Sequence, residues 1–201
     1  KNITVVVATG NDYDSSNIAS PACIENVTAV AATKKDDTLA SYSNLWDLKM
    51  LVAPGTSINS TMVFNPSEDI KTKCGTGRRY CRLQGTSMAT PHVAGAVALL
   101  QNYKRLEGKP ELRVSEIESV LNDTGKRVND SERNYSRIDI YSSLESLDES
   151  PPEVSLISPP DKSYPENTTQ TLTCNASDLD LDNITLKVWN KTGYLRNESS
   201  E

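Results

Sequence analysis

The stretch Gln84-Gly85-Thr86-Ser87-Met88-Ala89-Thr90-Pro91-His92-Val93-Ala94-Gly95 joins a tight turn to the start of a helix. The helix continues through Leu100 and is apolar nearly all round, which predicts burial on every side. Pro91 is expected in the first helical turn, where a missing N–H costs little. Ser87 then lies among unpaired N–H groups at the positive end of the helix dipole. A hydroxyl there suits chemistry through an anionic state, although a lone serine before a helix is more often only an N-cap.

A second polar group follows the first strand of the chain. Residues 3–9 form an apolar, β-rich run that predicts a buried strand, and Gly10 and Asn11 follow directly. A neutral amide at a rigid strand end can donate to an oxygen that becomes negative only in the transition state, and losing such a donor costs about 2.7–4 kcal/mol. Taken alone, Gly10-Asn11 would more often be an ordinary turn.

The twelve-residue stretch around Ser87 resembles the nucleophile motif of the subtilisin-like serine proteases, Gly-Thr-Ser-Met-Ala-x-Pro-His-Val-Ala-Gly. The strand end at Asn11 and the segments 40–44 and 53–55 are similar to further family motifs. The resemblance covers about residues 1–147 and implies an α/β fold, the C-terminal part of a three-layer parallel sheet with helices on both faces. It also implies peptide-bond hydrolysis through a Ser87 acyl-enzyme, with Asn11 in the oxyanion hole.

The resemblance further implies a set of substrate contacts. Ala8, Thr9 and Gly10 are expected to border the pocket for the side chain before the scissile bond, and Gly85 and Thr86 complete the set. Asp12 would favour a basic side chain if it faced that pocket. The expected substrate is a protein or peptide, and the chemistry requires no cofactor.

A serine nucleophile needs a histidine base and a carboxylate that orients the histidine. The only histidine is His92, in the same helix as Ser87, and the helical spacing turns its ring away from the nucleophile. In the family the Asp and His precede the segment that begins here. The chain is therefore expected to be an incomplete, inactive fragment of a serine endopeptidase. The alternative is a non-catalytic surface or adhesion protein that uses the same fold.

The character of the sequence changes after residue 147. Residues 148–152 include Pro151-Pro152 and predict an extended linker. In residues 153–201, runs with period-two alternation are separated by turns, a pattern that resembles the opening strands of an immunoglobulin-like β-sandwich. The sequence predicts two domains, of which the second is a truncated all-β segment.

Smaller elements are expected between the main motifs. Residues 27–33 predict a second buried strand, 56–61 and 135–140 predict strands, and 141–147 predict a short helix. Residues 114–121 have helical spacing, with Ser115 and Glu118 in a capping-box pattern.

Cysteines and charge limit the environment and the partners. Cys74 and Cys81 flank a glycine-containing loop and are expected to form a disulfide, half of a zinc site being the alternative. A net charge of −6 argues against nucleic acid, and no apolar run is long enough to span a membrane.

Calcium and glycans are the remaining candidate ligands. Calcium is an optional ligand near Asp47 or at Asp178-x-Asp180-x-Asp182, although no metal ligand set is assigned. The density of Asn-x-Ser/Thr sequons predicts an extracellular or cell-surface protein with candidate glycan sites. The sequons begin at Asn2, Asn26, Asn59, Asn122, Asn129, Asn134, Asn167, Asn175, Asn183, Asn190 and Asn197.

Overall fold

The computed structural model describes residues 3–46, 49–62, 74, 79–130, 133–148, 153–158, 173–177, 185–189 and 195–200. The chain divides into two compact units, Lys1–Ser146 and Leu147–Glu201. This division lies close to the predicted boundary at residue 147, while linker residues 149–152 are outside the described part.

A five-stranded sheet with the order β1-β2-β3-β7-β6 organises the first unit. Its strands are β1 Val6–Ala8, β2 Thr28–Thr33, β3 Met50–Pro54, β6 Lys126–Asn129 and β7 Asn134–Arg137. The first four in spatial order are parallel, and only β6 runs antiparallel, against β7. Every residue of β2 is buried, which explains its unbroken apolar run.

Strand β1 is shorter and less buried than the sequence predicts. Ile3 is 65% exposed and Val5 is 47% exposed, and all three strand residues are only half-buried. In the described sheet β1 is an edge strand that pairs with β2 alone, so one of its sides has no neighbouring strand.

Helix α1 spans Thr86–Leu106 and packs against β1, β2 and β3. Its buried positions recur every three or four residues: Thr86, Ala89, Val93, Ala96, Leu100 and Lys104. The opposite face is exposed, including Ala94, Gly95, Ala98 and Leu99. The expectation of burial on every side is therefore wrong for the described residues, because only one stripe of the helix contacts the sheet.

Two further helices complete the described helical part of this unit, α2 Val114–Asp123 and α3 Ile140–Glu145. The predicted capping box at Ser115 and Glu118 is wrong. The N-cap is Arg113, whose backbone N–H donates to Glu116 Oε2 at 2.7 Å, while Glu118 accepts from the Thr28 hydroxyl at 2.7 Å. Strand β6 was not predicted from the sequence, and it is held by pairing with β7 rather than by its own composition.

A hairpin leads into α1. Strands β4 Ile58–Thr61 and β5 Tyr80–Leu83 pair antiparallel, and Cys81 of β5 forms a disulfide with Cys74, their Cα atoms lying 5.4 Å apart. The expected disulfide is confirmed.

The second unit contains four described strands in two antiparallel pairs. Strand β8 Glu153–Ser158 pairs with β9 Thr173–Ser177, and β10 Thr185–Trp189 pairs with β11 Leu195–Ser200. Its immunoglobulin-like character stays a prediction. None of the helices in the described ranges has the length and apolarity needed to cross a bilayer.

Candidate active site

The residues singled out from the sequence converge where the parallel strands end. Gly10 and Asn11 follow β1, Gly55 follows β3, and helix α1 begins at Thr86. Carboxyl ends of parallel strands share one edge of a sheet, and this edge commonly carries binding sites in α/β folds. Hydrogen bonds join the three segments directly, from the Thr86 N–H to Asn11 and from the Gly85 N–H to Gly55.

The Asn11 side chain is oriented by Thr86. Its Oδ1 accepts from the Thr86 backbone N–H at 2.9 Å and lies 3.2 Å from the Thr86 hydroxyl. Thr86 is fully buried, and its hydroxyl also accepts from the Gly10 N–H at 3.3 Å. With Oδ1 engaged, the Asn11 Nδ2 has no hydrogen bond to the described part of the chain. The amide donor of Asn11 thus faces away from Thr86, on an exposed residue.

Gly85 forms the turn that delivers the chain into α1. Its φ is +147° and its ψ is 162°, a backbone conformation that residues other than glycine rarely adopt. Its N–H donates to the Gly55 carbonyl at 2.9 Å, which holds the turn against the end of β3. A Cβ at Gly85 would lie 3.5 Å from both Nδ2 and Oδ1 of Asn11, so the turn runs beside the Asn11 amide.

Ser87 is the second residue of α1 and is exposed, unlike the buried Thr86 before it. Its N–H belongs to the first turn, which has no intrahelical partners, and it makes no hydrogen bond within the described residues. Ser87 lines a cavity of about 340 Å³ whose walls also include Ile58, Asn59, Ser60, Met88, Pro91 and His92. The hydroxyl is therefore accessible, and it lies beside the Ser87 N–H; the N–H groups on either side are engaged, by Asn11 Oδ1 at Thr86 and by the Gly85 carbonyl at Met88.

Pro91 lies in the second turn of α1, not in the first as predicted. The missing N–H would otherwise donate to the carbonyl of Ser87, four residues earlier. The Ser87 carbonyl is thus left without that helical bond. Because the helix already begins at Thr86, Pro91 lies one turn further into it than the sequence predicted.

His92 is exposed rather than enclosed in a buried helix. Its Nδ1 lies 2.9 Å from the Met88 carbonyl, so the ring is tied to the preceding turn of its own helix. His92 and Ser87 border the same cavity, but no hydrogen bond joins the two side chains.

The residues proposed as substrate contacts differ in burial and in hydrogen bonding. Ala8 is half-buried in β1, opposite Val30. Thr9 is fully buried; its N–H donates to the Val30 carbonyl at 3.1 Å, and its carbonyl accepts from the Ala19 N–H at 2.8 Å. Gly10, by contrast, is only partly buried and adjoins Asn11.

Tyr42 and Asn44 have contacts at the site that the sequence did not predict. Both are buried, and both contact the site segments: the Tyr42 hydroxyl donates to the Gly55 carbonyl at 2.9 Å, and Asn44 bonds the loop that carries Asn11. The Asp12 carboxylate accepts from the Asn44 Nδ2 at 2.9 Å. Both residues belong to the motif at 40–44, but only the fold shows that this motif touches the strand end at Asn11.

No group of three or more histidine, cysteine or acidic side chains suited to a metal occurs in the residues that the structure describes. Asp47 and the Asp178–Asp182 segment, the calcium candidates from the sequence, lie outside those residues. Asp14, near the site, has its pKa held below the ordinary value, chiefly by the Ser16 backbone N–H and then by the Asn17 side chain.

Comparisons with known proteins identify the family of this chain. The model of the Peptidase_S8 subtilase family matches residues 1–140. The chain is 37% identical over 141 residues to the Thermophilic serine proteinase of Bacillus sp. strain AK1, covering 70% of this chain and 31% of that protein. It is 40% identical over 123 residues to the Extracellular protease of Xanthomonas campestris pv. campestris, covering 61% and 20%. Among solved structures, a protease of Pseudoalteromonas arctica superposes with a TM-score of 0.60 at 28% identity, covering 73% of this chain and 43% of that one. The chain thus spans less than half the length of these relatives.

Proposed function

This chain belongs to the subtilase family, and from that premise we propose that it carries the nucleophile and the oxyanion-hole amide of a subtilisin-type serine endopeptidase. The observation that supports this most directly is the Asn11 amide, whose Oδ1 is held by Thr86 while its Nδ2 remains available. An amide held by its acceptor end presents its donor end, which is the arrangement that a developing oxyanion needs.

In the proposed reaction, Ser87 Oγ attacks the carbonyl carbon of a peptide bond and gives its proton to a base. The carbonyl oxygen becomes negative and accepts hydrogen bonds from Asn11 Nδ2 and from the Ser87 backbone N–H. Collapse of this intermediate breaks the C–N bond, the base returns the proton to the leaving amine, and an acyl-Ser87 ester remains for water to hydrolyse. The helix N-terminus at Ser87 favours the anionic stage.

The base is proposed to come from outside residues 1–201. His92 is the single histidine, and its Nδ1 is tied to the Met88 carbonyl in its own helix. On this proposal the isolated chain has no general base for Ser87 and is inactive. Of the expected substrate contacts, Ala8 and Gly10 are partly exposed and border the bound peptide on this proposal, whereas Thr9, Gly85 and Thr86 are buried and support the site from behind.

The wider setting is proposed from the relatives and the sequence. Related proteins include an extracellular protease, and the chain has a disulfide and many sequons, so we place the protein outside the cell or at its surface. Protein substrates, no required cofactor, and an immunoglobulin-like second domain at 153–201 complete the proposal. Asn26, Asn59 and Asn129 are exposed and able to carry glycans.

Fluorophosphonate labelling and peptide hydrolysis test the proposal. The 201-residue chain alone should show neither, because a positioned base contributes about 10²–10⁴-fold to the rate. The same chain, extended by the polypeptide encoded upstream, should be labelled at Ser87, and Ser87→Ala should abolish labelling and hydrolysis.

Asn11→Ala in the extended protein should lower kcat by about 10²–10³-fold. Asn17→Ala is the matched control, because Asn17 is an exposed asparagine of the same loop, and it should leave kcat unchanged. Labelling at another residue, or full activity in Ser87→Ala, would refute the proposed nucleophile. An upstream sequence without an Asp and His pair would instead assign the fold to a non-catalytic surface protein.

A further inference from the structure

Asn44 is a buried polar residue whose hydrogen bonds converge on the loop that carries Asn11. Only 3% of its surface is exposed. Its backbone N–H donates to the Gly10 carbonyl at 3.1 Å, and its Oδ1 accepts from the Asp12 N–H at 2.7 Å. A buried amide with this many partners is oriented by them, and it in turn restricts them.

These bonds bracket Asn11 on both sides. Gly10 precedes Asn11 and Asp12 follows it, and both are bonded to the single residue Asn44. The Asn44 Oδ1 also lies 3.3 Å from the Asp14 N–H, and its Nδ2 donates to Asp12 Oδ2 at 2.9 Å. The backbone on either side of Asn11 is therefore bonded to one residue, Asn44. This restricts the backbone conformation at Asn11 and so the direction in which its side chain points.

The residue before Asn11 is shaped to admit the Asn44 amide. A Cβ at Gly10 would lie 2.5 Å from Asn44 Nδ2, closer than real Cβ contacts allow, and the Gly10 φ is +107°. Glycine at this position thus permits both the turn and the approach of the amide. The strand end and Asn44 are matched to each other although 34 positions of sequence, 10 to 44, separate them.

Asn44 is itself fixed from both neighbours. The Ser43 hydroxyl accepts from the Ala32 N–H of β2 at 2.9 Å, and the Leu45 N–H donates to the Asp14 carbonyl at 2.8 Å. Asn44 is therefore mounted on the central sheet and not on a free loop, which is what a positioning group requires.

We propose that Asn44 is a positioning residue that holds the Asn11 amide in the direction needed for the oxyanion hole. This proposal rests on the proposed role of Asn11, and Asn44 acts only through it. Two hydrogen-bonding systems then fix Asn11: Thr86 holds its side-chain oxygen, and Asn44 holds its backbone.

The first test needs no catalysis. In the 201-residue chain with labelled asparagine side chains, the Asn11 Nδ2 resonances are compared in wild type, Asn44→Ala and Ser143→Ala. Ser143 is the control because it is also buried and polar, and its hydroxyl bonds Asp139 and Thr124 rather than the Asn11 loop or Asn44. Asn44→Ala should shift the Asn11 resonances and accelerate their hydrogen exchange, while Ser143→Ala should leave them unchanged. Unchanged Asn11 resonances in Asn44→Ala would overturn the proposal.

The shape-conserving variant Asn44→Asp covers the case in which the alanine variant fails to fold. It keeps an acceptor for the Asp12 N–H but replaces the donor to the Asp12 carboxylate with a second carboxylate. It should displace the Asn11 resonances in the same direction as Asn44→Ala, and an unperturbed Asn11 would again refute the idea.

The second test uses the extended, active protein. Asn44→Ala should lower kcat with little change in KM, by less than the ~10²–10³-fold that loss of the Asn11 donor costs. In an Asn11→Ala background it should lower kcat no further. Multiplicative effects would overturn the positioning role, because residues acting through one another are not additive. Loss of the Asn11 role in catalysis would remove the kinetic effect but leave the resonance shifts, so the two failures are distinguishable.

Discussion

Replacing Gly85 with alanine tests the turn that places Ser87 beside Asn11. The backbone there has φ +147° and ψ 162°, a region occupied essentially by glycine alone. Residues forced into such regions cost about 1–3 kcal/mol. The new methyl group would meet Asn11 at 3.5 Å, an ordinary van der Waals contact, so crowding adds little. We expect Gly85→Ala to lower the free energy of unfolding by about 1–3 kcal/mol, nearly all of it from backbone strain.

Urea unfolding of the 201-residue chain, followed by far-ultraviolet circular dichroism, measures this loss. All described helices lie within Lys1–Ser146, so the helical signal reports on the unit that contains the turn. Gly95→Ala is the matched control in the same segment. Gly95 lies inside α1, and a Cβ there would meet no heavy atom within 4 Å. It should gain about 0.5–1 kcal/mol, because glycine in a helix interior is less stable than alanine by that amount.

The two variants therefore should change stability in opposite directions although both add one methyl group. A Gly85→Ala chain as stable as wild type would refute the strained turn, and with it the reason for glycine before Thr86. A Gly95→Ala chain that loses stability would show that the exposed face of α1 is covered in solution.

Two further predictions concern the packing of the core and the dependence of stability on acidic pH. Leu100→Ala should lower the free energy of unfolding by about 2.7–5 kcal/mol, because Leu100 is fully buried. Leu99 is 51% exposed, so Leu99→Ala should change it by no more than about 0.5 kcal/mol in the same measurement. Equal losses would contradict the one-sided packing of α1. The lowered pKa of Asp14 contributes stability that is present above the ordinary aspartate pKa and is lost as the pH falls through the lowered value. Asp14→Asn should therefore flatten the decline of the urea midpoint below about pH 4, and an unchanged acid dependence would refute this linkage.

The elements that local sequence specifies were predictable. Strand β2 and helix α1 appear where unbroken apolar runs place them, and the turn at Gly85 stands directly before the helix. The disulfide between Cys74 and Cys81 was favoured from the short, glycine-containing loop between them, with half of a zinc site as the alternative. These features depend on neighbours within about twenty residues, which a single sequence displays.

Features that depend on distant partners were not predictable. The apolar composition of α1 gave no sign that Leu99 would be exposed, because burial is decided by what packs against a face and not by the face itself. Strand β6 has the sequence Lys-Arg-Val-Asn, which has little strand character and is held by pairing with β7. The capping residue Arg113 likewise departs from the usual side-chain preferences, with Glu116 supplying the cap.

Asn44 is the most informative case, because its motif was visible while its partner was not. The motif at 40–44 and the strand end at Asn11 were each recognised, yet only the sheet brings them within hydrogen-bond distance. Local patterns identify which residue types chemistry needs, whereas the direction of a side chain is a property of the tertiary structure.

The hydrogen bonds among these residues divide the proposed catalytic apparatus into two separable parts. The Tyr42 hydroxyl and the Gly85 N–H both donate to the Gly55 carbonyl, so the segment that holds Asn11 through Asn44 also reaches the turn before Ser87. The proposed oxyanion half of the site is therefore built by contacts internal to residues 10–87. Oxyanion donors are effective because they are fixed before charge appears, and no proton-transfer group is needed to fix them. Supplying a base should consequently raise the rate without rearranging Asn11, so the Asn11 resonances of the isolated chain should match those of the extended protein.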